Sequence, residues 1–181
     1  MIKTVLALTL SALMTGSLQA QISGSINRGA AKVTNAIEMG KNKLEVSYTA
    51  IRFGEGGWQD IKDNKEGHEG FNKFAASKPI GSVKSSCDLM AAGKTIPAGE
   101  YSMYFTINER AGWILNLKPA EGDTIMWRMH LSDAAAKSAC LKVSLEPSEK
   151  NGVCSIAIVF GDKSVTVPVS VSEKKEEQKE G

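Results

Sequence analysis

Apolar and polar residues alternate along most of the chain between residues 31 and 171. The pattern is clearest where Tyr101, Met103, Phe105 and Ile107 occupy every second position. Successive side chains of a β-strand point to opposite faces of a sheet, so this period indicates strands with one buried face. About nine such short segments, separated by turn residues, predict an all-β fold, either an antiparallel sandwich or a partly open barrel.

Two hairpins are specific enough to predict cross-strand partners. In the first, residues 31–38 and 43–51 flank a two-residue loop at Gly40 and Lys41. That loop brings apolar residues opposite each other on one face and opposes unlike charges on the other. The predicted partners are Ile37 with Leu44, Val33 with Tyr48, and Glu38 with Lys43.

The second hairpin is predicted at Gly161 and Asp162, because glycine suits the first position of a type II′ turn. The predicted partners are Ile158 with Val165, Ile156 with Val167, and Cys154 with Val169. Pro168 then faces outward, which indicates an edge strand. Residues 83–90 predict another strand, and an alanine run at residues 132–137 predicts one helical turn.

Residues 53–82 depart from the alternation and form a long, glycine-rich segment. They contain six glycines, charges of both signs, and the aromatic residues Trp58, Phe71 and Phe74. Long segments of this kind in compact domains are functional, disordered or contain further structure, and we expect a short helix at residues 69–76. Their aromatic side chains can contact a ligand or can close one end of a sandwich. Trp58, His68 and Phe71 are the candidate ligand contacts.

The first twenty residues predict a signal peptide. Lys3 gives a basic start, residues 4–13 form an apolar run, and Ala20 lies at the expected cleavage position. The run is shorter than the roughly 20 apolar residues that cross a bilayer, and a buried N-terminal helix is the alternative. We expect cleavage after Ala20, one β-rich domain over residues 21–171, a disordered charged tail over residues 172–181, and a periplasmic or extracellular location.

Charge and cysteine content narrow the classes of partner. The chain has 22 basic and 20 acidic residues and 6% aromatic residues, which argues against a nucleic-acid partner. No further apolar stretch predicts a membrane span.

The cysteines are Cys87, Cys140 and Cys154, and alternation places the last two on opposite faces, where they cannot bond. A Cys87–Cys154 bridge and buried free thiols both remain open.

The residues that carry chemistry form no recognisable catalytic or cofactor motif. His68 and His130 are the two histidines, and neither has zinc-site spacing, so we expect no cofactor. A non-catalytic exported module that binds a small ligand, glycan or protein is therefore favoured. One alternative is a hydrolase that combines Asp88 or Glu100 with a histidine. The other is an envelope metal-binding protein that uses Met126 and His130.

The most distinctive run is residues 93–104, where Pro97 and Gly99 suit a turn that leads into a strand. Together with Trp113 and Asn116 after the next turn, this run resembles an exported bacterial family catalogued as domain of unknown function 2911. A looser similarity in strand order extends over residues 44–171. The Trp-Arg and Asn-Glu run associated with that family is replaced here by residues 71–84. The resemblance implies a secreted β-rich fold and brings no established activity.

Overall fold

A computed structural model describes residues 29–54, 63–110 and 112–172. The strands are β1 (Lys32–Met39), β2 (Asn42–Thr49), β3 (Gly81–Ser85), β4 (Leu89–Ala91), β5 (Lys94–Ile96), β6 (Gly99–Ile107), β7 (Trp113–Pro119), β8 (Ile125–Arg128), β9 (Ser132–Pro147) and β10 (Val153–Val171), and the helix is α1 (Gly67–Ser77). The predicted signal peptide, Trp58 and residues 173–181 lie outside the described residues.

The strands form two antiparallel sheets. The first sheet has the order β1-β2-β3-β6-β7-β8, and the second has the order β5-β4-β10-β9. Their inner faces share one apolar core, which includes the fully buried side chains of Leu44, Val46, Leu115, Val143 and Cys154. The predicted all-β antiparallel sandwich is therefore confirmed.

The first hairpin forms as the sequence predicts. Ile37 lies opposite Leu44, Val33 opposite Tyr48, and Glu38 opposite Lys43. Gly40 has a φ of +65°, a backbone conformation that residues with a Cβ atom rarely adopt. The turn and the alternation agree, so local sequence suffices to set this register.

The predicted strand at residues 83–90 is two strands in two different sheets. β3 ends at Ser85 and pairs with β2 and β6, whereas β4 begins at Leu89 and pairs with β5 and β10. Between them, the Ser85 hydroxyl donates to the Cys87 carbonyl oxygen over 2.6 Å. The chain therefore crosses from the first sheet to the second within residues 86–88.

The predicted hairpin at Gly161 is wrong. β10 continues from Val153 to Val171, with Gly161 inside it at a φ of +63°. The partners are on other strands, with Ile158 opposite Val143 and Cys154 opposite Pro147 on β9, and Val169 opposite Ala91 on β4. Because long strands flank this stretch, the chain bulges at Gly161 instead of folding back on itself.

The predicted helical turn at residues 132–137 is also wrong, because these residues belong to β9. Asp133 and Ser138 lie opposite Lys163 and Gly161, so residues 134–137 face Asp162 alone. The alanine run forms a bulge in which residues 135–137 are exposed. Helix propensity is a weak preference, and the long partner strand outweighs it here.

Pro168 points outward as predicted, but β10 is an inner strand of its sheet and not an edge. The pairing of β10 with β9 ends at Ser164, and its pairing with β4 begins at Val169. A proline lacks the N–H group that a sheet ladder needs. Pro168 is tolerated because it lies between the two ladders.

Candidate functional site

The helix α1 covers a part of β6 that pairs with β7 on one side but has no strand on the β3 side. β3 pairs with β6 only as far as Met103. Beyond that point the Asn72 side chain donates to the Ile107 carbonyl oxygen and accepts from the Ile107 N–H, both over 2.8 Å. One side-chain amide thus supplies the two hydrogen bonds that a paired strand would have made.

His68 and Phe71 lie on the face of α1 that points into the protein. Both are 7% exposed, and the Phe71 ring packs edge-on against Trp113 with the centroids 5.8 Å apart. The predicted helix at residues 69–76 is confirmed within α1. Phe71 closes an end of the core, which is the second of the two roles considered for the aromatic residues of this segment. A ligand-contact role for Trp58, His68 and Phe71 stays a prediction.

The distinctive run at residues 93–104 is held by two hydrogen bonds. The Ala98 N–H donates to a carboxylate oxygen of Asp88 over 2.8 Å, and the Tyr101 hydroxyl donates to the Pro97 carbonyl oxygen over 2.7 Å. Burial, and then the negative charge of Asp88, raise the pKa of Tyr101. These contacts position the turn between β5 and β6, so the motif has a structural explanation.

The groups of the hydrolase alternative lie at two ends of β6. Asp88 and Glu100 are beside its first residues. His68 is on α1, one helical turn before Asn72, whose side chain binds Ile107 at the last residue of β6. His130 follows β8 next to the start of β7, which pairs with that same end. Nine residues of strand separate the ends by roughly 25 Å. A general base must reach its proton directly or through one water, so these pairs do not form one site.

The metal-binding alternative rests on two exposed side chains. Met126 is 53% exposed, and His130 is exposed as well. Among residues 29–54, 63–110 and 112–172, no three His, Cys, Asp or Glu side chains lie close enough together to hold a metal ion. Copper(I) titration tests whether Met126 and His130 bind a metal.

The three cysteines are free thiols. Cys154 is fully buried and faces the core, as alternation predicts, and its burial raises the pKa of its thiol. Cys87 is half-buried beside Ser85, and Cys140 is half-buried on β9. Of the two possibilities for Cys87 and Cys154, the structure has the unbridged one.

Four hydroxyl side chains on the outer face of the first sheet lie side by side on four neighbouring strands. We call Thr34, Ser47, Ser82 and Ser102 the hydroxyl row. Each lies directly opposite the next in the sheet register, so successive side chains are about 4.8 Å apart. The Thr34 and Ser47 hydroxyl oxygens are 2.8 Å apart and share a hydrogen bond.

A second row runs beside the hydroxyl row and alternates in charge. Glu45 on β2 lies opposite Lys84 on β3, which lies opposite Glu100 on β6. Lys43 also forms a 2.9 Å ion pair with Glu45. On β2, β3 and β6, the outer face therefore combines uncharged hydrogen-bonding groups with two basic and two acidic side chains.

Sequence reasoning missed the hydroxyl row. The alternation identifies Ser47 and Ser102 as outward-facing, but it does not tell which strands are neighbours. β3 and β6 are adjacent in the sheet although β4 and β5 lie between them in the chain. Detecting the row required the β2-β3-β6 order, for which the sequence carries no local signal.

Fold and surface together define an all-β antiparallel sandwich whose larger sheet has an ordered polar outer face. Comparisons with protein-family models, with curated proteins and with solved structures find no match to this chain. The resemblance based on residues 93–116 therefore stays a prediction. Over the described part of the chain, no helix has the length and apolar character needed to cross a membrane.

Proposed function

We propose that the protein is an exported, non-catalytic module that binds a small ligand, a glycan or a protein in the cell envelope. The N-terminal sequence pattern supports export. The hydroxyl row carries the binding proposal, and it favours a glycan among the three kinds of ligand.

The reason for favouring a glycan is the chemistry of the row. Each Ser or Thr hydroxyl can donate one hydrogen bond and accept others, as a sugar hydroxyl does. Thr34 and Ser102 at the two ends are exposed, and Ser47 and Ser82 between them are half-buried. Because the sheet already holds the four side chains in a row, little binding free energy is lost in ordering them when a ligand binds.

The charges beside the row refine the choice of ligand. Glu45, Lys84 and Glu100 alternate in sign across three strands. Such a surface attracts neither polyanions nor polycations strongly. We therefore expect an uncharged polysaccharide to bind better than a sulfated or uronic-acid polymer.

The test is sedimentation of the protein with insoluble neutral polysaccharides, followed by calorimetry with soluble fragments of any that bind. Ser47→Ala combined with Ser82→Ala removes two central hydroxyls. Since one hydrogen bond contributes about 1 kcal/mol, we expect affinity to fall by roughly tenfold or more.

Ser144→Ala is the matched control, because Ser144 is an exposed serine on β9 of the other sheet. It should bind as the unmodified protein does. Equal affinity for the Ser47/Ser82 double variant and the unmodified protein would contradict the assignment of the row.

The predicted contacts in residues 53–82 need a separate test. Trp58→Ala and Phe71→Ala are compared for ligand affinity and for urea unfolding. Phe71→Ala should lower the free energy of unfolding, because its ring packs in the core. Loss of affinity in a folded Trp58→Ala variant would support a contact role for Trp58, and unchanged affinity would remove it.

A further inference from the structure

Side chains close several exposed edges of the two sheets. The Asn35 amide donates to the Val143 carbonyl oxygen of β9 over 2.5 Å, and the Lys94 ammonium donates to the Met126 carbonyl oxygen of β8 over 2.8 Å. Asn72 does the same for β6. Unpaired edges invite pairing with other chains, and such side-chain bonds reduce that tendency.

β1 is the edge strand of the first sheet opposite β8. No such side-chain hydrogen bond covers its backbone N–H and C=O groups that point away from β2 in the described part of the chain. The Ala50 N–H donates to the Ala31 carbonyl oxygen over 2.8 Å. Hydrogen-bonded positions alternate in an antiparallel ladder, so odd-numbered residues of β1 bond to β2. The backbone groups of the even-numbered residues point away from β2. These residues are Lys32, Thr34, Ala36 and Glu38.

These four residues are exposed. Within the described ranges, no backbone hydrogen bond joins their outward-pointing groups to a second strand or loop. β1 is eight residues long, twice the length of β8 at the opposite edge, which has four. It is thus a long, open template for one more strand.

We propose that β1 pairs with β1 of a second copy of this chain, antiparallel about a two-fold axis. A two-fold interface joins the same surface of both partners, so a strand that occupies it must be complementary to itself. β1 meets this condition when Asn35 lies opposite Asn35 of the second copy. Lys32 then lies opposite Glu38, and Val33 lies opposite Ile37.

Both the direction of the backbone groups and the sheet face of each side chain are compatible with this register. Lys32 and Glu38 both have outward-pointing backbone groups, so they form a hydrogen-bonded pair across the interface. Their side chains lie together on the outer face. Val33 and Ile37 lie together on the inner face, next to the core. The interface contains each of these pairs twice.

Neighbouring registers lose the charge match. A shift of two residues in one direction places Thr34 opposite Glu38 and moves Lys32 beyond the strand. A shift in the other direction places Lys32 opposite Ala36. The charges of β1 therefore select one register, which extends the first sheet continuously across both copies.

Sedimentation velocity of the purified full chain in low-salt buffer, from roughly 10 μM to 1 mM, tests the proposal. One strand pair is a small interface, so we expect a dimer whose population rises with protein concentration. Lys32→Glu and Glu38→Lys each oppose like charges at two places, and each should weaken dimerisation about tenfold or more. The double variant restores unlike pairs and should recover the dimer.

Lys118→Glu is the matched control, since Lys118 is an exposed lysine on β7, away from β1. It makes the same charge change and should dimerise normally. Circular dichroism confirms that every variant is folded. A chain that is monomeric up to 1 mM would overturn the proposal, and so would single reversals without effect or a double variant that stays monomeric.

Hydrogen exchange provides a second readout that does not depend on substitutions. The amides of Thr34 and Ala36 should exchange more slowly as the protein concentration rises. Equal exchange of these amides at low and high concentration in a dimeric sample would place the interface elsewhere and overturn the β1 assignment. Failure of the dimer proposal leaves the glycan proposal untouched, because the dimer uses the backbone edge of β1 and the glycan proposal uses side chains on the outer face of the sheet.

Discussion

Gly40 in the first sheet and Gly161 in the second have nearly the same backbone conformation and opposite roles. Their φ values are +65° and +63°. Gly40 reverses the chain between β1 and β2, whereas Gly161 lies within β10 and the chain continues past it. A positive φ at glycine permits a turn, but what surrounds the glycine decides whether one forms.

The surroundings differ sharply. A Cβ atom on Gly40 would have no neighbour within 4 Å, whereas one on Gly161 would lie 2.6–2.7 Å from three ring atoms of Phe53. The Phe53 ring also packs edge-on against Phe160, with centroids 5.1 Å apart. Phe53 reaches this position because its N–H donates to the Ala139 carbonyl oxygen of β9 over 2.8 Å. Residues far apart in sequence therefore hold the bulge.

The largest effect is expected from Gly161→Ala. The new methyl group would clash with the Phe53 ring, and the positive φ would be strained as well. We expect the free energy of unfolding to fall by about 2–4 kcal/mol, measured by urea denaturation. A loss no greater than that of Gly40→Ala would break the comparison.

A double-mutant cycle with Phe53→Ala shows whether the clash is the cause. Phe53→Ala alone removes packing against Phe160, and we expect it to cost about 1–3 kcal/mol of unfolding free energy. The double variant should lose at least about 1 kcal/mol less unfolding free energy than the sum of the two single losses, because the ring no longer opposes the methyl group. Additive losses in urea unfolding would show that backbone strain dominates.

Gly40→Ala isolates the backbone strain. Its side chain would enter open space, so only the positive φ opposes the substitution. We expect a loss of about 1 kcal/mol in the free energy of unfolding. Gly54→Ala is the control, because Gly54 has neither a positive φ nor a neighbour within 4 Å of the added Cβ.

The smallest effect is expected from Asp133→Asn at the same bulge. Lys163 lies 2.6 Å from Asp133, and this hydrogen bond and then its charge lower the pKa of Asp133. Stabilisation of the fold by this ion pair is therefore present above the usual aspartate pKa, and it is lost as the pH falls through the lowered pKa of Asp133. Because the Asp133 side chain is 90% exposed, we expect almost no change in unfolding free energy at pH 7. A large loss would mean that charge, and not Phe53, holds the bulge.

Local sequence patterns predicted much of the fold and little of the candidate surface. The alternation placed Met103 and Cys154 in the core, and the short helix was predicted within one or two residues of its observed ends. Of the three predicted ligand contacts, His68 and Phe71 are buried, and Trp58 lies outside the described residues. Aromatic composition indicates that a side chain needs a partner, but it does not say whether that partner is the core or a ligand.

The sequence by itself determined which face most of the strands bury and how β1 pairs with β2, because both depend on neighbours within a few residues. Only the tertiary structure decided that Gly161 bulges and that Asn72 completes the edge of β6. It also decided that four hydroxyls form a row. These features depend on contacts between segments far apart in the chain, and such contacts leave no periodic signal in the sequence.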